Sequence, residues 1–194
     1  MKGRTWLISL IVTVFWTIAV GGAYPLLVTG IGAVFFPRKA DGSFVMKDGK
    51  LVGSTLIGQD FSSPRYFHPR PSAVKYDASS SGASNWGWTS ADLKKAYDQR
   101  LADWKKAYGN AAPPMDMLFA SGSGLDPDIS PQAAEAQVPA VAAARRLTGA
   151  QAAALLELVR SHEAAPQLGF LGQPRVNVLE LNMALDAAFP VGRP

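Results

Sequence analysis

Ser121-Gly122-Ser123-Gly124-Leu125-Asp126-Pro127 is the stretch with the most chemical promise. Glycines free a backbone to wrap an anion, and serine hydroxyls add donors. No Lys-Ser/Thr follows, so it is not a Walker loop. Ser121 takes the place of a first glycine, so it is not a nucleophile elbow either. From its residues alone it reads as a tight polar turn leading into a helix at Ser130. If so, a β-branched residue at Gly122 is expected to destabilise the chain. His68 and His162 are the only histidines, and there is no cysteine. That removes disulfides, thiol chemistry and Cys-ligated metals, and leaves too few imidazoles for a dedicated metal site. A hydrolase triad needs Ser, His and a carboxylate in mutual reach. His68 lies between Phe67 and Pro69-Arg70-Pro71, and His162 ends a polar helix face, so neither is marked as a base. Arg70 and Arg175 each sit in a Pro-stiffened segment. Each is either a structural arginine bonding loop carbonyls or a contact with a partner.

The elements that must position these residues follow from pattern. Phe44-Val45-Met46 and Leu51-Val52 flank a polar Lys47–Lys50 turn and predict a β-hairpin. Phe61 to Trp88 is dense in Ser, Pro, Gly and aromatics and predicts irregular but ordered chain. Residues 90–108 predict an amphipathic helix, capped by Thr89 or Ser90, with Leu93, Tyr97, Leu101, Trp104 and Tyr108 on a core face. Ser130-Pro131 predicts a second helix, which Pro139 should kink or divide. Thr148-x-x-Gln151 is a capping box for a third, running to about Glu163. Asn177-x-x-Glu180 resembles another start, with Leu181, Leu185 and Phe189 on one face. The fold class expected is α+β and helix-rich towards the C-terminus.

Charge and hydropathy divide the chain of 194 residues. Lys2, Arg4, Arg38 and Lys39 are the only charged residues among the first 39. Without those four the 19 Lys+Arg fall to 15, matching the 15 Asp+Glu. The remainder is neutral and carries no clustered basic face of the kind a nucleic-acid binder uses. Thr5 to Phe36 has no charge at all, and about 20 apolar residues suffice to cross a bilayer. The reading is an anchor over 1–36, one transmembrane helix with a bend near Gly21–Pro25, then a soluble domain over 37–194. A cleaved signal peptide ending at Gly21-Gly22-Ala23 is the competing reading, but cleavage would leave Tyr24–Phe36 exposed. Lys and Arg flank both ends of the span and do not orient it. The short N-terminal flank favours a cytoplasmic N-terminus and an extracytoplasmic domain.

Longer blocks carry a family resemblance. Gly53-Ser54-x-Leu56-Ile57-Gly58-Gln59-x-Phe61, Tyr66-Phe67-x-x-Arg70-Pro71-Ser72-Ala73 and Ser81-Gly82-Ala83-Ser84-Asn85 resemble the C subunit, the KdpC family, of the Kdp-type potassium-transporting ATPase. So do Ala120–Pro131, Gln137-Val138, Ala144-Arg145 and Gly172–Asn182, nearly end to end. Trp86–Ser90 and Ala140 depart from the family pattern. The resemblance implies a non-catalytic accessory subunit of an inward potassium pump in the bacterial cytoplasmic membrane. Its implied partners are a potassium-selecting channel-like subunit, a P-type ATP-hydrolysing subunit, membrane lipid and a small single-span peptide in some assemblies, with no nucleic acid. It further implies a catalytic chaperone that raises the ATP affinity of the pump subunit. ATP is then met only through the complex, with no intrinsic cofactor. Ser121, Gly122, Ser123 and Gly124 are the nucleotide-contacting positions the family implies. The alternative from a different class is an anchored extracytoplasmic binding module, unrelated to transport, using the aromatic Phe61–Trp88 region.

Overall fold

The structure is a computed structural model that describes residues 2–47, 49–109 and 111–190. It forms two compact units divided between Phe44 and Val45. In the first, α1 (Lys2–Ile18) runs through a π-helical turn (Ala19–Ala23) into α2 (Tyr24–Phe35), followed by the short α3 (Pro37–Ala40). Gly3–Phe35 is one apolar helical run of 33 residues, long enough to cross a membrane. At 1.5 Å per residue it extends about 50 Å, more than the hydrocarbon thickness of about 30 Å. The expected interruption at Gly21–Pro25 takes the form of the π turn. Pro25 has no N–H to offer the Gly21 carbonyl four residues back. One residue earlier the ladder has already stepped to five-residue spacing, with Tyr24 N–H donating to the Ala19 carbonyl. Such a local adjustment lets a membrane helix keep a proline without breaking.

Strand β1 (Phe44–Lys47), whose first residue closes the first unit, pairs with β2 (Lys50–Ser54) in a two-stranded sheet as the hairpin pattern predicts. Asp48, in the expected turn, lies outside the described residues. Residues 55–90 contain no helix or strand. Helix α4 (Ala91–Tyr108) starts where Ser90 Oγ accepts the Leu93 N–H. After α5 (Met115–Leu118) and β3 (Asp128–Ile129), α6 (Pro131–Arg145) starts at Ser130, whose Oγ accepts the Ala133 N–H at 3.1 Å. Helix α7 (Gly149–Ser161) has the complete Thr148–Gln151 capping box. Helix α8 (Val178–Ala188) is capped by Asn177, whose side chain accepts the Glu180 N–H.

Of the two outcomes expected at Pro139, division of the helix does not occur, and α6 continues to Arg145. Pro139 is solvent-exposed, while the buried residues on either side, Val138 and Val141, hold the helix to the core. Helix α7 stops at Ser161 rather than near Glu163, because Glu163–Ala164 is claimed by a strand, β4. β4 and β3 flank the central β5 (Arg175–Asn177), both antiparallel, with Ile129 and Glu163 each opposite Val176. Strands of two or three residues are too short for alternation to show in sequence.

α6 packs against α7 and α4, and α7 against α8. Ala133, Ala134 and Ala142 are buried on α6 and keep its surface low. Val141, Leu155, Val159, Val176, Leu181 and Leu185 fill the centre, each no more than 1% exposed.

Candidate functional site

The Ser121–Gly124 loop is stitched on both sides by backbone bonds. Ser121 is buried, and its N–H donates to the Pro71 carbonyl at 3.0 Å. The Ser123 carbonyl accepts the Gly82 N–H at 2.8 Å and the Ser81 hydroxyl at 3.0 Å. The Gly124 carbonyl accepts the Ser72 hydroxyl at 2.6 Å. One residue on, the Leu125 carbonyl accepts the Gly58 N–H at 2.8 Å. The loop is thus a clasp for three stretches of the irregular 55–90 chain. Gly124 is its constrained glycine: φ is +68°, and a Cβ there would lie 2.6 Å from both the Gly82 carbonyl and Val74 Cγ2. Gly122 is exposed, lacks a positive φ, and has nothing within 4 Å of a built Cβ. The expectation that Gly122 carries the constraint is therefore corrected to Gly124. Of the four family-implied positions, Ser121 and Gly124 are buried in the clasp and Gly122 and Ser123 face solvent. Ser123 Oγ turns inward along the chain to accept the Leu125 N–H.

Beside the clasp lies a cleft of about 440 Å³. Arg70 and Arg175 line it with Asp116, Asp126 and Asp128. Arg70 Nη1 donates to Asp126 at 2.8 Å, and Arg175 Nε forms an ion pair with Asp128 at 3.1 Å. Asp116 accepts both the N–H and the hydroxyl of Ser130, occupying the start of α6. Burial pushes the Asp128 carboxyl up, although Asn177 and Arg175 oppose the shift. Two arginines thus face three carboxylates. The field is already neutralised, a poor match for a polyphosphate, which needs unopposed positive charge. Among the described residues no cluster of His, Asp or Glu could hold a metal ion.

Three polar side chains named only within family blocks prove central. Asn182, 2% exposed, accepts the Phe67 N–H at 2.8 Å and donates to its carbonyl at 2.9 Å. Gln137, fully buried, does the same for His68 at 2.7 and 3.2 Å. Two amides, from α8 and α6, thus replace a missing neighbouring strand for a chain segment without sheet partners. Arg145, its side chain 1% exposed, donates to the Arg65 and Phe189 carbonyls and to Asp186, and lies over the Tyr66 ring at 5.0 Å. The available signal was a polar residue inside an apolar helix face: Gln137 beside Ala134, Val138 and Val141, and Asn182 beside Leu181 and Leu185.

The histidines form no relay. Burial lowers the His68 pKa, against a hydrogen bond to the Phe61 backbone and the charge of Asp60. His162 Nδ1 lies 2.9 Å from the Leu158 carbonyl, and the neighbouring Ser161 hydroxyl donates to that same carbonyl. The aromatics of 61–88 are largely consumed by the fold. Phe67 is in the core, Tyr66 bonds Asp186, and Tyr76, its hydroxyl pushed up to about 12 by burial, bonds the Arg70 carbonyl.

A family model described as K+-transporting ATPase, c chain (KdpC), matches residues 6–187. The chain belongs to the KdpC family. It is thereby a subunit of a potassium-transporting ATPase. The potassium-transporting ATPase KdpC subunit of Geobacter sulfurreducens is 46% identical over 186 residues, covering 94% of this chain and 97% of that one. The KdpC subunit of Methylococcus capsulatus is 48% identical, covering 92% and 95%. That of Nitratidesulfovibrio vulgaris is 50% identical, covering 92% of each. Membership in a family of pump subunits agrees with the long apolar helix ahead of the folded unit.

Proposed function

We propose that this chain is a non-catalytic accessory subunit of a bacterial ATP-driven potassium import pump, anchored in the cytoplasmic membrane by Gly3–Phe35. Its N-terminus is cytoplasmic and its folded unit extracytoplasmic. It assembles and stabilises the complex, contacting the potassium-selecting and ATP-hydrolysing subunits. It raises the ATP affinity of the latter as a coupling free energy between sites, not by lending side chains to the nucleotide.

The observation that supports this most is the clasp. Of the N–H groups that could greet a phosphate, that of Ser121 donates to Pro71 and that of Gly124 to Ser121, while the Ser123 and Gly124 carbonyls are held by Gly82 and Ser72, and Arg70 and Arg175 are paired with aspartates. The test is nucleotide binding and turnover by the purified full chain, set beside the ATP affinity of the pump with and without it. The chain alone should neither bind nor hydrolyse ATP, while its removal should weaken ATP binding by the pump. ATP binding by the chain alone that is lost in Ser123→Ala would overturn the indirect mechanism. Protease protection in sealed vesicles tests the orientation.

A further inference from the structure

Between Ala164 and Arg175, which pair across β4 and β5, the chain makes a ten-residue excursion without a charged residue. Its tip is rigid. Gln167 and Leu171 exchange backbone bonds, each N–H donating to the other's carbonyl at 2.9 Å, and Gly169 N–H donates to the Pro166 carbonyl. Leu168 holds φ at +54°, in the left-handed region, next to Gly169 at +82°. A leucine in that conformation is uncommon and costs about 1–2 kcal/mol. This tip does not bury apolar surface in return. Leu168 is 82% exposed and Phe170 73%, with Leu171 half exposed.

We infer that the Leu168–Phe170 tip is a preformed anchor that seats in an apolar pocket on an extramembrane loop of another subunit of the same pump. The inference rests on the accessory-subunit reading above. Three observations select a protein pocket as the occupant. The excursion carries no Lys or Arg that would attract anionic headgroups. Its geometry is fixed by cross-strand bonds, so an anchor of this kind loses little freedom on binding. The same segment that leaves the tip, Gly172 to Arg175, lines the cleft, where the Arg175–Asp128 and Arg70–Asp126 ion pairs form a mixed polar rim. An apolar centre beside a mixed polar rim is the anatomy of a protein interface. A main-chain segment of the partner would meet the cleft while Phe170 fills the pocket.

The chain's lack of cysteine makes the test specific. In membranes containing the whole pump, Phe170→Cys carrying a photoreactive maleimide should cross-link a pump subunit identified by mass. The same label at Ala154→Cys, on the exposed face of α7, should not. Leu168→Ser/Phe170→Ser should lower recovery of the other subunits in detergent by at least about tenfold, while the melting temperature of the isolated full chain is unchanged. Cross-links to lipid alone, no cross-link, or undiminished recovery with the double variant would each overturn the inference. If the unaltered chain recovers the subunits and the double variant does so equally, the anchor fails and the accessory reading stands. If the unaltered chain recovers none, both fall.

Discussion

At the scale of single residues, the two glycines of the Ser-Gly-Ser-Gly stretch separate cleanly. Gly124 needs a positive φ and has no room for a Cβ, whereas Gly122 has neither restriction. Gly124→Ala should cost about 2–4 kcal/mol, the sum of left-handed strain and overpacking. Gly122→Ala should stay within about 0.5 kcal/mol. Thermal melting of the two variants side by side checks this, and equal losses would remove the clasp. His68 supplies a second prediction. Its folded pKa lies below its ordinary value of 6.5, chiefly because burial disfavours the cation. Between the folded pKa and 6.5 the unfolded chain therefore holds more protons. Stability should be complete above about pH 6.5 and fall as pH drops through that window. In His68→Gln, melting between pH 8 and 5 should lose most of this slope. Asp186 adds to acid sensitivity lower down. Burial alone would raise its pKa, but hydrogen bonds from Arg145 and Lys47 outweigh burial and leave it below the usual carboxylate range. Its contribution is present above the usual range and lost as pH falls through the folded pKa.

At the scale of elements, the helices begin where local chemistry says they should, and end where the tertiary fold requires. Ser90, Ser130, Thr148 and Asn177 each cap the helix that follows. Pro139 is the exception that packing overrides. It lacks the N–H that would bond the Glu135 carbonyl, yet α6 remains one helix because its buried face is held on α7 and α4. Since Pro139 is exposed, Pro139→Ala should restore the bond without disturbing the core. It should stabilise the chain, by up to about 3 kcal/mol. Denaturant midpoints measure the change. A loss of stability would mean that the proline is required for the α6 contacts.

At the scale of the whole molecule, a 33-residue apolar helix precedes a folded unit whose own core is complete. On the proposed reading the first unit alone lies in the membrane, and insertion depends on it. Val14→Arg, near the middle of the apolar run, should cost about 2.5–3.5 kcal/mol of insertion. Carbonate extraction of membranes should then release part of the chain, and retention equal to the unaltered chain would argue against Val14 lying in hydrocarbon. The folded unit should melt unchanged in the same variant.

Much of this architecture is local, and local features are legible in a sequence. The charge-free run, the β-hairpin, the four capped helix starts and the aromatic face of α4 each depend on residues a few positions apart. The blocks from Gly53 to Asn182 carried the family. Other features join distant segments and have no local signature. Asn182 reaches Phe67 across 115 residues, Gln137 reaches His68 across 69, and Gly124 meets Ser72 across 52. The β3–β5–β4 sheet joins strands of two or three residues, too short for alternation to register. Which glycine of the clasp is constrained, and whether the arginines are free or paired, depend on which segments close around them. Those were decided only in three dimensions, because the neighbours that set φ, burial and charge at each position lie far along the chain.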